Sequence, residues 1–89
     1  MLTDNKVFKR EKLTNEIIEG KLFMFNKQTT NYYKFNEIGT IIWLLINGKR
    51  DIKKIKNKIK EEYSCPDEKF FDKKINKFFQ ILIREGLIK

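Results

Sequence analysis

The chain has 89 residues, a net charge of +8, 40% hydrophobic residues and 13% aromatic ones. That is enough for one domain around one modest core, it is too apolar for a disordered chain, and no apolar run reaches the ~18–20 residues of a membrane span. The absence of His and the single cysteine, Cys65, exclude an internal disulfide, a Cys/His zinc site and His-based acid–base chemistry.

Met1 to Arg10 has no apolar core of a secretory signal, so the chain is read as soluble and cytoplasmic. Its basic charge points to an acidic partner: nucleic acid, an anionic membrane, or an acidic peptide or protein. Met1 to Lys12 is polar and mixed in charge, either a loose arm or an irregular pairing. Leu13 to Ile18 and Lys21 to Phe25 read as strands joined at Glu19-Gly20, where Gly tolerates positive φ. A polar turn over Asn26 to Asn31 leads to a third strand, Tyr32 to Phe35. An antiparallel meander of this kind needs a covering layer.

Helices supply that layer. From Ile38 the apolar period changes, and Ile38, Ile41, Ile42 and Leu45 share one helical face. The first helix is expected over Glu37 to Asn47, capped by Asn36 and closed at Gly48. Asp51 caps a second, with a narrow seam of Ile52, Ile55, Ile59 and Tyr63 among lysines. Ser64-Cys65-Pro66-Asp67 interrupts the chain, and Cys65 beside Pro66 reads as a small residue at a helix start, with no base signature to make it a reactive thiol. The third helix runs from about Asp67 to Glu85, Gly86 ends it, and Leu87 and Ile88 fold back. The fold class is α+β, a single domain over residues 1–89.

The third helix carries more apolar surface than a core needs. Phe71, Ile75, Phe78 and Leu82 form a central stripe, Phe79 and Ile83 extend it on one side, and Phe70 and Ile81 on the other. The arc is about 200°, against roughly 100° for an ordinary core stripe. The surplus either packs under the N-terminal strands or forms a groove for a partner segment. Lys73, Lys74, Lys77 and Arg84 lie around the Phe70/Ile81 edge, which suits an acidic amphipathic peptide, although surface lysines are ordinarily just solvated. A second basic run, Lys49 to Lys60, is either a solvated face or a contact surface for a partner protein. If the third strand is an edge, its free backbone groups can pair with an extended chain, and Lys34 is a light defence.

Three segments carry a family resemblance. Tyr33 to Trp43 (YKFNEIGTIIW) resembles the x-x-Leu-Asn-x-(Thr/Ser)-(Gly/Ala)-x-x-Ile-Trp segment of PqqD-like proteins. Ile46 to Ile55 resembles their Leu-x-Gly-x-x-(Thr/Ser)-Val-x-x-Ile, and Phe78 to Ile88 their Phe-x-x-x-Leu-x-x-x-Gly-Leu-(Ile/Val). The likeness covers about residues 13 to 89. Phe35 stands where Leu is usual, and Asp51 where Thr or Ser is common, both conservative.

The resemblance implies a winged-helix-like domain, a three-stranded antiparallel sheet followed by three helices. It also implies a non-catalytic module that recognises the leader of a ribosomally made precursor peptide, a peptide-modification chaperone without cofactor or metal. The leader adds as a strand to the third strand and lies against the third helix. By position, the site is Asn31, Tyr32, Tyr33, Lys34 and Phe35 on the strand, with Phe70, Phe71, Lys74, Lys77, Phe78 and Ile81 on the helix. The implied partners are an acidic or amphipathic leader and a maturation enzyme such as a leader peptidase or a radical SAM protein; no nucleic acid or membrane partner is expected. A lasso-peptide pathway ranks ahead of sactipeptide-type and quinone-cofactor pathways.

The alternative is a winged-helix DNA-binding regulator. It lacks a hairpin wing after the third helix, whose apolar flanks are ill suited to base readout. An enzyme is disfavoured, with no phosphate-cradling Gly-rich loop and no nucleophile paired with a base.

Overall fold

Glu19 and Gly20 both adopt positive φ, 51° and 78°, which matches the twist of a two-residue hairpin. That turn joins β1 (Thr14–Ile18) to β2 (Lys21–Asn26), and a second turn leads to β3 (Asn31–Lys34). In the second turn Asn26 Oδ1 accepts from the N–H groups of Gln28 and Thr29. The computed structural model describes residues 3–63 and 67–89. Its sheet is antiparallel with the order β1-β2-β3, and three helices follow: α1 (Glu37–Leu45), α2 (Ile52–Glu62) and α3 (Glu68–Arg84). The fold is therefore α+β, as expected. Ser64, Cys65 and Pro66, where the interruption and the cysteine reading fall, lie outside the described residues.

Each helix starts on a side-chain cap. Asn36 Oδ1 accepts from Gly39 N–H, Asp51 Oδ1 from Lys54 N–H and Asp67 Oδ1 from Phe70 N–H, satisfying donors that the first turn leaves orphaned. At the far end of α3, Gly86 takes φ 71° and donates to Ile83 C=O, and Leu87 donates to Leu82 C=O. This pair of bonds is a Schellman motif, and Leu87 and Leu82 are both buried beside it. The first helix ends differently from expectation. It stops at Leu45 with an extended Ile46, and Gly48 (φ 80°) shapes the following turn, where Asn47 Oδ1 accepts from Lys49 and Arg50.

The core lies between one face of β2 and the helices. Leu22 and Met24 from the sheet meet Phe35, Ile42, Trp43 and Ile46, then Ile52, Ile55 and Ile59, then Ile75, Phe79 and Leu82. Thr40 pins α1 to the sheet: its buried Oγ1 accepts from Leu22 N–H at 2.8 Å and donates to Asn36 C=O. β1 is exposed along its whole length. No helix among the described residues is long and apolar enough to cross a membrane.

The N-terminal segment takes the second of its two expected forms, an irregular pairing. Lys9 and Lys89 exchange backbone hydrogen bonds, and Glu11 donates to Leu87 C=O. Lys6 and Asp4 carbonyls accept from Ile52 and Lys53, two of the orphaned donors at the start of α2. Asp4 also pairs at 3.0 Å with Lys56, whose side chain is buried. This segment moves the core stripe of α3. Phe79, expected on a flank, is fully buried against Phe8 at 5.8 Å, while Phe71 and Phe78, expected at the centre, are only half-buried. Phe8 covers that flank from outside the helical period, so the buried centre is Ile75, Phe79 and Leu82.

Candidate functional site: a groove between the third strand and the third helix

The opposite flank of α3 is left open. Between it and β3 runs a groove of about 970 Å³, lined mainly by apolar atoms. Tyr32, Tyr33, Lys34 and Phe35 form one wall, and Phe70, Phe71, Lys74, Phe78 and Ile81 the other. Ile38, Gly39 and Ile42 of α1 line it between the two, and Tyr63 and Asp67 line it where α2 gives way to α3. The walls meet where Phe35 and Phe78 pack edge to face at 5.4 Å. They meet again where the Tyr33 hydroxyl donates to Glu85 Oε1 at 3.0 Å.

The backbone of β3 is what makes this groove chemically useful. Phe35 N–H donates to Leu22 C=O, just past the pairs Phe23–Lys34, Met24–Tyr33, Phe25–Tyr32 and Asn26–Asn31. Hydrogen bonding alternates along an antiparallel ladder, so Tyr33 and Asn31 also turn their N–H and C=O toward β2. Tyr32 and Lys34 consequently turn theirs outward. β3 is the outer strand of the sheet, and its open edge carries two donors and two acceptors beside an apolar trough.

The side chains grade the groove from dry to charged. Gly39 has a packing reason to lack a side chain: a Cβ there would lie 3.3 Å from Phe78 Cζ and 3.2 Å from the capping Asn36 Oδ1. Phe70 is 58% exposed and Ile81 is also exposed, an apolar pair without cover. Lys74 Nζ sits over the Phe70 ring at 5.1 Å, and Lys34 Nζ over Phe23 at 5.7 Å. The Lys74 ammonium thus sits on the helical wall, the Lys34 ammonium lies over Phe23 on the outer face of the sheet, and the Asp67 carboxylate is occupied as the α3 cap. At the start of α3, Lys60 pairs with Asp72 at 3.1 Å and lies over the Phe71 ring. This link ties α2 to the helical wall.

Of the residues expected from sequence, Tyr32, Tyr33, Lys34, Phe35, Phe70, Phe71, Lys74, Phe78 and Ile81 come together around the groove. Asn31 and Lys77 are exposed and outside its lining, although Asn31 Nδ2 reaches the Tyr33 hydroxyl at 3.4 Å. Sequence reasoning missed Ile38, Gly39, Ile42, Asn36, Tyr63 and Asp67 as lining residues. Ile38 and Tyr63 were hidden by their own periodicity, which assigns them to core faces. Gly39 did leave a signal, a glycine inside a helical pattern, which costs stability unless close packing requires it.

The family model for coenzyme PQQ synthesis protein D (PqqD) matches residues 21–88. The chain belongs to the PqqD family. The span matched to PqqD starts at β2 and includes every residue lining the groove; β1 and the N-terminal segment precede it. A solved structure of TbiB1 in complex with the TbiA(beta) leader peptide superposes with a TM-score of 0.80 at 22% identity, covering 91% of this chain and 94% of that one. At that identity the likeness is one of fold. No curated protein matches the chain.

Proposed function

We propose that this PqqD-family chain is a non-catalytic peptide-binding module. It captures the leader of a ribosomally synthesised precursor by taking it as a fourth strand on β3, and it presents the peptide to a maturation enzyme in the cytoplasm. The observation that carries this reading is the open edge of β3, with the N–H and C=O of Tyr32 and Lys34 turned toward an apolar groove. Family membership supports it, and so does the shared fold of TbiB1, which was solved with a leader peptide.

The division of labour follows from strand addition. Main-chain pairing supplies affinity for any extended segment, and alternate side chains of the guest enter the groove. Those inward residues meet Ile38, Ile42, Phe71 and Phe78 and are apolar. The outward ones pass Lys34 and Lys74, which favours Asp or Glu. The ligand is thus an acidic, amphipathic leader. A leader peptidase or a radical SAM protein is the partner class, with a lasso-peptide pathway the first setting to test.

Selection from a displayed random-peptide library tests the reading. We expect recovered peptides to alternate apolar and acidic residues and to lose binding when Lys34 is replaced by Pro. Recovery of no peptide, or of peptides indifferent to Lys34→Pro in a folded protein, overturns it.

A further inference from the structure

The two walls of the groove are joined by unlike contacts. Phe35 against Phe78 is an apolar packing contact that can slide. The bond from the Tyr33 hydroxyl to Glu85 Oε1 is directional and spans 52 positions in sequence. It is also supported on both sides. Asn31 Nδ2 donates to the Tyr33 hydroxyl oxygen, and Arg84 Nε lies 3.5 Å from Glu85 Oε2. Glu85 is the capping residue of α3, immediately before the left-handed Gly86, so its backbone is held by the Schellman motif. The bond therefore joins a paired strand to a fixed helix end. The groove lining includes Tyr33 and Ile81 but not Glu85, and so it stops at this bond. Away from it, toward Phe70 and Lys74, no hydrogen bond among the described residues bridges β3 and α3.

We propose that the Tyr33–Glu85 hydrogen bond is a strut that closes one end of the groove and sets its specificity there. Glu85 is a positioning residue: it touches no guest, and it acts by holding Tyr33 and the end of α3 at a fixed separation. A guest strand paired to Tyr32 and Lys34 runs past Ile81 toward this closed end. The strut limits the side chain admitted beside Ile81 to a small one, and it leaves the Phe70/Lys74 end free to take larger ones. The inference rests on the peptide-binding reading above.

The test compares library selections on the wild type, Tyr33→Phe, Glu85→Ala and Glu85→Gln. Tyr33→Phe keeps the ring and removes the donor; Glu85→Ala removes the acceptor from the partly exposed side; Glu85→Gln keeps an acceptor oxygen. For one peptide recovered on the wild type, loss of a single hydrogen bond should weaken binding about three- to tenfold in the first two variants. Their combination should be no worse than either alone. Selections on those two variants should admit larger residues at the guest position beside Ile81, with preferences at the Phe70 end unchanged. Glu85→Gln should restore the wild-type preference. A merely stabilising bond would lower the melting temperature and leave the preference alone, or would blur all positions equally, and either result overturns the proposal. If one variant fails to fold, the other removes the same bond and decides the matter. If the wild type recovers no peptide, the peptide-binding reading fails and this inference with it; a wild-type consensus that survives both deletions defeats the strut alone.

Discussion

The two flanks of α3 are alike in composition and opposite in environment. On one, Phe79 is fully buried against Phe8, which arrives from the far end of the chain. On the other, Phe70 stands 58% exposed and Ile81 exposed beside it, and the nearest strand ends its own pairing at that edge. The first flank is closed by this protein's own N-terminal segment, while the second faces an open groove that no described residue fills. Similar phenylalanines thus sit in opposite environments; under the proposed function one serves stability and the other recognition, and substitution should separate them.

The largest effect is expected at the closed flank. Phe79→Ala should destabilise the fold by about 3–5 kcal/mol, read from the midpoint of denaturant unfolding, since it empties a packed site next to Phe8. Phe70→Ala, by contrast, should change stability by less than about 0.5 kcal/mol and weaken binding of a library-selected peptide. Equal stability losses at the two positions would erase the distinction.

The same contrast exists within β3. Lys34→Pro removes an outward N–H, so it should leave the melting temperature nearly unchanged and lower peptide affinity by at least about tenfold. Tyr33→Pro removes an inward ladder donor and should lower the melting temperature by more than about 4 °C. A smaller effect comes from charge. Lys74→Glu should weaken binding of an acidic peptide severalfold and flatten its salt dependence, while Lys77→Glu, outside the groove lining, should do little. If the two reversals act alike, general attraction from the basic surface explains the affinity, and the placement of Lys74 does not.

What could be read from sequence divides along the range of the interactions involved. Asn36 and Asp51 as caps, a third helix beginning near Asp67 and Gly86 as a stop are local features, settled within a turn, and each stands where the pattern puts it. Three strands before three helices follow equally from local period. The pairing of Lys9 with Lys89, and of Phe8 with Phe79, joins opposite ends of the chain, and no periodicity encodes it. That missing cover is why the helical wheel placed the core stripe on Phe71 and Phe78. Ile38 illustrates the reverse case: its spacing marks it apolar-facing, but the surface it faces is the groove. The strand and helix walls were legible because the family resemblance aligned them. The part lined by α1 was not, because a helical period tells which residues share a face and not whether that face is covered.

The most direct measurement is amide hydrogen exchange on the free protein and on its complex with a library-selected peptide. Strand addition to β3 predicts that the N–H groups of Tyr32 and Lys34 exchange quickly when free and become strongly protected in the complex. Those of Tyr33, which faces β2, and Asn31, which pairs with Asn26 and reaches Thr29 Oγ1 at 3.4 Å, should change little. A bound peptide that leaves Tyr32 and Lys34 unprotected would contradict strand addition at this edge.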